Sequence, residues 1–209
     1  MAKVIKQRDS NTEEQILNAA REIFLAKGYA ASRTVEIARK AGVNHAMLHY
    51  YFETKKKLFD KVFDHKIDLF LNSFSGLFEN DLPFIYKIRR AIENHFDYLV
   101  SNPKLCSFLL NEVMTNSESK ELFKATLIKE VKNLLEQLDR EIDAEVSKGT
   151  IKNINAAELI FNIGSLNMMS VIAWQFILKD IDGATESGYA DYLQQRREGV
   201  VQIILKSIS

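Results

Sequence analysis

The amino-acid sequence predicts an all-α protein: an N-terminal three-helix head and a larger helical body, about nine helices in all. Three observations predict it. Only 2 Pro and 8 Gly occur in 209 residues, too few for the turns of an all-β sandwich. Apolar residues recur at three- and four-residue intervals, the repeat of a helix with one buried face. The breaks in that repeat begin at Ser, Thr, Asn, Asp or Pro and end at Gly, as helix termini require.

Thr12 and Gln15 form a capping box. Ile16, Ala19, Ala20, Ile23 and Phe24 then carry the core stripe of a first helix that Gly28 ends. Ser32 is placed to cap a short second helix with Ile37, Ala38 and Ala41, and Gly42 stops it. Asn44 caps a third, HAMLHYYF, and Thr54 a fourth. The fourth is long, with Leu58, Phe59, Val62, Phe63, Ile67, Phe70, Leu71, Phe74, Leu77 and Phe78 on its stripe, and should link head to body. Pro83 and Pro103 open helices of about 18 and 11 residues, because proline's missing N–H costs nothing in a first turn. A charged seventh helix runs from Ser117 to Lys148 and stops at Gly149, and the turn GTIKN leads to Asn155 and an eighth. Twenty residues of that helix, Leu159 to Leu178, hold no formal charge, enough to span a bilayer. Asn162, Ser165, Asn167 and Gln175 interrupt the run, and Glu158 and Lys179 close it. A helix buried against both its own core and a partner chain accounts better for the pattern. A ninth helix, from about Glu186 to Ser209, carries Tyr189, Tyr192, Leu193, Val200, Val201, Ile203, Ile204 and Leu205. The expected division is residues 1–57 for the head and 58–209 for the body.

Hydrophobic residues at 46% and charged residues at 27% exclude a disordered chain and a mostly membrane-embedded one. Cys106 is the single cysteine, so no intrachain disulfide, zinc ribbon or redox pair can form. The start, MAKVIKQRDS, lacks the apolar stretch of a secretory signal, and a cytoplasmic protein is expected. The formal net charge of zero hides a segregation. Residues 1–66 hold 13 Lys+Arg against 8 Asp+Glu, and the remaining 143 residues hold 15 against 20. A basic head on an acidic body points to an anionic partner, nucleic acid or a membrane surface.

Ser32 to Lys57, SRTVEIARKAGVNHAMLHYYFETKKK, decides between these. Two short helices about a tight turn at Gly42 have the spacing of a helix-turn-helix, whose second helix enters the DNA major groove. At 100° per residue, Leu48, Tyr51 and Phe52 face one side of that helix and Ala46, His49 and Tyr50 the other, with His45 and Met47 at the flanks. A helix about 12 Å long fits crosswise in a groove of about that width.

The run from Thr12 to Leu58 resembles the DNA-binding domain of the tetracycline-repressor (TetR) family of bacterial transcription regulators. The resemblance rests on ILNAAREIFLAKGY, on EIARKAGV, and on a third helix ending LHYYF before TKKKL. The family commonly has Lys where His45 stands and Tyr-His where this chain has His49 and Tyr50, so its base preference is not carried over. The resemblance implies phosphate contacts from Lys55, from Tyr50 and Tyr51, and from Ser32, Arg33 and Thr34. Helix N-termini, with free N–H donors, suit that role. Tyr51 fits a core position equally well. With Asn44 capping the helix, base reading would fall to His45, Ala46, Met47 and His49, through histidine donors to guanine and methyl contacts to thymine. His45 and His49 also stand at a metal-ligand spacing, but a metalloprotease helix needs Glu where Ala46 stands.

For the body the resemblance implies a small-molecule effector between helices and a homodimer through the eighth and ninth helices. Phe63, Phe70, Phe74, Phe96, Phe108, Met114 and Phe161 are the apolar pocket candidates, with His95, Asn111 and Asn162 as polar ones. His95, on one face with Ile88, Ile92 and Leu99, fits a hydrogen-bonded core position more readily than a ligand contact. A helical-bundle enzyme would show clustered carboxylates or Glu-x-x-His pairs, and the sequence has none. The expectation is a non-enzymatic, ligand-responsive regulator that binds double-stranded DNA as a homodimer, most simply a repressor. No metal, cofactor or membrane association is expected.

Overall fold

The computed structural model describes residues 2–62, 73–78, 82–106, 117–174, 176, 180 and 186–209. Among the described residues the regular elements are helices: α1 (Ala2–Ala31), α2 (Thr34–Lys40), α3 (His45–Phe52), α4 (55–62), α5 (Phe84–Ser101), α6 (103–106), α7 (Ser117–Ser147), α8 (Ala156–Ala173) and α9 (Glu186–Ile208). A 3-10 turn, Ser75–Phe78, precedes α5. The chain divides into two compact units, Met1–Asp68 with Phe108–Lys124, and Leu69–Ser107 with Ala125–Ser209.

In the first unit α1 begins at Ala2, so Thr12 lies inside a helix and does not cap one. Gly28 breaks it as expected, at φ 75° and ψ 172°, and one further turn reaches Ala31. Ile16, Ala20, Phe24, Ile37, Leu48 and Leu58 are fully buried together, drawing one residue set from each of α1 to α4. Phe59 meets the rings of Phe24 at 5.0 Å and Tyr29 at 4.8 Å. The unit runs past residue 57 because the first two turns of α4 (Leu58, Phe59, Val62) belong to this core.

In the second unit α5 packs against α8, α9 and the 3-10 turn, with Ile88, Ala91, Ile92, Ile163, Val200 and Ile204 in one core. Gly76 approaches the α5 backbone so closely that an added Cβ would lie 2.8 Å from the Ala91 nitrogen. Ion pairs tie α5 to α7 and to α9. Lys87 meets Glu141 at 2.8 Å, Arg89 meets Glu198 at 3.1 Å, and Arg197 grips both Asp97 oxygens at 2.9 and 3.0 Å. Asn155 caps α8 by accepting from the Glu158 N–H, and Asp139 accepts from the Ala156 N–H beside it. Pro83 stands at the N-cap of α5, and Gly149, at φ 70°, follows the end of α7.

Candidate nucleic-acid interface

The interface is built on α2, the Gly42 turn and α3. Gly42 adopts φ 71°, which an L side chain resists, and lets the chain reverse so that the Val43 N–H donates to the Ala38 carbonyl. Asn44 caps α3, accepting from the Met47 N–H at 2.7 Å. Leu48 and Phe52 anchor α3 in the core, while His45, Ala46, Met47, His49 and Tyr50 are exposed, Tyr50 at 82%. Tyr51 is half-buried, and its ring meets that of Tyr50 edge-on at 5.4 Å.

A polar chain crosses this surface. The Thr34 hydroxyl and His45 Nε2 lie 2.9 Å apart, the rings of His45 and His49 pack edge to face at 4.4 Å, and His49 Nδ1 donates to the Glu53 carbonyl at 2.9 Å. Thr34, the first residue of α2, therefore ties α3 to α2. Glu53, which the sequence does not mark, ends α3 at φ 54°. Val35 is another residue that periodicity leaves unassigned, and it is 61% exposed in the first turn of α2. Arg33 is exposed at the N-cap of α2, whose free N–H groups favour an anion. Glu36, in the same turn, is held below the usual carboxylate range by its hydrogen bond to Lys27.

Two residues expected at phosphate are engaged within the chain. Ser32 is buried and donates its hydroxyl to the Gly28 carbonyl at 2.6 Å, so it does not cap α2, whose N-cap is Arg33. Lys55 donates to the Ser32 carbonyl at 2.8 Å and to the Ala30 carbonyl at 3.5 Å, and lies 4.3 Å over the Tyr29 ring.

Of the body candidates, Phe74, His95 and Phe96 are buried in the second unit. His95 stacks on Phe74 at 4.4 Å, and Asn167 Nδ2 lies 3.0 Å from both His95 Nδ1 and the Ile92 carbonyl. Burial pushes the His95 pKa down to about 3. The sequence marked Asn167 only as an interruption of an apolar run. Asn162 is half-buried. Phe161 is 72% exposed, so it points away from the interior and does not line a pocket there. Phe63, Phe70, Phe108, Asn111 and Met114 lie outside the described residues. Among the described residues no group of three His, Cys, Asp or Glu side chains could hold a metal.

An exposed short helix, fixed by a tight turn to a second helix with an open N-terminus, is the geometry of a helix-turn-helix. Residues 16–62 match the family described as bacterial regulatory proteins, tetR family. The chain is 29% identical over 106 residues to the HTH-type transcriptional repressor NicS of Pseudomonas putida, covering 51% of this chain and 50% of NicS. It thus spans about half the length of that relative. Against the HTH-type transcriptional regulator RutR of Escherichia coli K12, 201 residues align at 26% identity, 95% of this chain and 91% of RutR. In fold it resembles FadR from Bacillus subtilis, solved in complex with stearoyl-CoA, with TM-score 0.66 over 94% of this chain and 99% of FadR at 21% identity. Residues 16–62 therefore match a domain of the tetR family of bacterial regulatory proteins, and the relatives NicS and RutR are transcriptional regulators.

Proposed function

We propose that this chain is a cytoplasmic homodimeric repressor that binds an inverted-repeat operator and is released by a small apolar or amphipathic effector. The exposed face of α3, held to α2 through the Thr34–His45 contact, carries the reading. Arg33, Thr34 and the open α2 N-terminus take phosphate, with Tyr50 and Tyr51 along the backbone. His45, Ala46, Met47 and His49 face the base edges.

The dimer forms through α8 and α9. Phe161 and Met169 on α8 and Ile203 on α9 are all exposed in the single chain, as is Phe176 beyond α8, more apolar area than solvent tolerates on elements that also build a core. The same reading explains α8, which is long and apolar enough to cross a membrane by composition, yet is only 33% buried within the chain. A two-fold dimer places its reading helices about 34 Å apart, which demands a palindromic site. The effector enters the body, and stearoyl-CoA, held by the Bacillus subtilis neighbour, is the first probe.

Selection from a random duplex pool, followed by footprinting, tests the reading. A protected inverted repeat that stearoyl-CoA or a related amphiphile releases supports it. An asymmetric site, or equal affinity for selected and bulk DNA at matched salt, overturns it.

A further inference from the structure

We infer that His49 recognises an exocyclic amino group, adenine N6 or cytosine N4, with Nε2 as the acceptor, and so selects against guanine and thymine on the strand it faces. This rests on the DNA-binding reading above and reverses the donor role toward guanine expected from the sequence. The direction of one hydrogen bond decides it. His49 Nδ1 lies 2.9 Å from the Glu53 carbonyl oxygen, and a carbonyl only accepts, so Nδ1 carries the hydrogen. A neutral imidazole holds a single N–H, which leaves Nε2 with a bare lone pair. Among the described residues Nε2 has no hydrogen-bond partner, and His49 is exposed on a helix whose anchors Leu48 and Phe52 are buried. His45 lacks the same constraint. Its Nε2 meets the Thr34 hydroxyl, which both donates and accepts, so either tautomer satisfies the contact.

The backbone at Glu53 presents that carbonyl. Glu53 is the one non-glycine residue with positive φ among the described residues, at φ 54° and ψ −52°, a conformation that L residues rarely adopt and that neighbouring contacts must hold. Its N–H donates to the His49 carbonyl at 2.8 Å, the Thr54 N–H donates to the Phe52 carbonyl, and its carboxylate pairs with Lys57 at 2.6 Å. Residues 49 and 53 are thus joined twice, through the Glu53 N–H and through its carbonyl. The His49 ring also packs against the His45 ring at 4.4 Å, and Thr34 holds His45 in turn. Turning the His49 ring would break its bond to Glu53, so the tautomer and the direction of Nε2 are set in the free protein. Each base pair shows the major groove one kind of amino donor, on adenine or on cytosine, while guanine N7 and O6 and thymine O4 only accept. Against guanine or thymine, Nε2 would face another lone pair, and the acceptors on both sides would lose their water without gaining a donor.

Two measurements on the full chain test this, both at about pH 8, above the ordinary histidine range. Nitrogen NMR of the free protein reads which ring nitrogen carries the proton, and His49 should show a protonated Nδ1 and a bare Nε2. Duplexes are then selected from a random pool by the wild type, His49→Ala and His49→Arg. One position in each half-site should follow residue 49: the wild type takes adenine or cytosine there, His49→Ala loses the preference, and His49→Arg, whose head only donates, moves it to guanine. Deleting the amino group alone, with purine in place of that adenine or 2-pyrimidinone in place of that cytosine, should weaken wild-type binding about fivefold or more. The same deletion should leave His49→Ala within about twofold of its affinity for the unmodified duplex. A bare Nδ1, guanine or thymine selected by the wild type at that position, no position that follows residue 49, or equal losses in wild type and His49→Ala overturns the inference. A chain that selects no duplex loses the DNA-binding reading and this inference with it, whereas a bare Nδ1 beside a well-defined selected site removes the inference alone.

Discussion

At the scale of single residues, His95 is the group most altered by the fold. It is 1% exposed, stacked on Phe74 and held by Asn167, and burial lowers its pKa from 6.5 to about 3. Between those values the unfolded chain binds the proton and the folded body does not. Stability contributed above pH 6.5 is therefore lost as pH falls towards about 3, by at most about 1.4 kcal/mol per pH unit. Melting temperatures measured from pH 7 to pH 4 should fall steadily, and His95→Phe, which cannot charge, should fall less over the same span. Parallel curves would show that His95 does not govern the acid response. Cys106 makes a second prediction. Its thiol is fully buried, and burial pushes its pKa up to about 11, so a thiol reagent at neutral pH should react only after denaturant opens the body.

At the scale of elements, the helices are set by caps and by one close crossing. Asn155 holds the first turn of α8 by accepting from Glu158, and Asn155→Ala should cost about 1 kcal/mol in denaturant unfolding. The loss stays moderate because Asp139 still receives the Ala156 N–H at 2.7 Å. Gly76 is a stricter requirement. Its missing Cβ would stand 2.8 Å from the backbone nitrogen of Ala91, which cannot rotate away as a side-chain tip would. Gly76→Ala should lift the 3-10 turn from α5, at a cost of about 1–3 kcal/mol. A stability equal to wild type would mean that the turn shifts without loss.

At the scale of the whole molecule, the proposed dimer answers an excess of apolar surface. Phe161 is 72% exposed in the single chain, so Phe161→Glu should leave each subunit folded while setting a charge in the two-fold contact. Light scattering should then report monomers, and affinity for a palindromic site should drop by about a hundredfold or more as the second half-site stops assisting the first. A variant that stays dimeric would move the contact to another face. The charge segregation read along the chain belongs to this scale too: in the proposed function the basic N-terminal part favours DNA, while the acidic remainder disfavours binding elsewhere.

What the sequence by itself determined is what lies within one helical turn. Asn44, Thr54 and Asn155 cap the helices that follow them, through N–H groups only three residues on, and Gly28, Gly42 and Gly149 take the positive φ that ends a helix. The core stripe from Ile16 to Phe24 and the anchors Leu48 and Phe52 follow from the 3.6-residue repeat for the same reason. Tertiary structure alone decided where side chains with several possible partners end up. Ser32 had the type and place of a cap, yet its hydroxyl meets the Gly28 carbonyl, which the turn at Gly28 brings within 2.6 Å. Lys55 stands where the resemblance implies a phosphate contact, and its ammonium reaches the carbonyls of Ala30 in α1 and of Ser32 just beyond it. His95 and Asn167 stand 72 residues apart and meet only because α5 and α8 pack together. Phe161 belongs to a helix apolar on most faces, where periodicity cannot separate the side turned to the core from the side turned outward. Local hydrogen bonds and periodicity are written in neighbouring residues, whereas the choice among distant partners is made by the packing of whole helices.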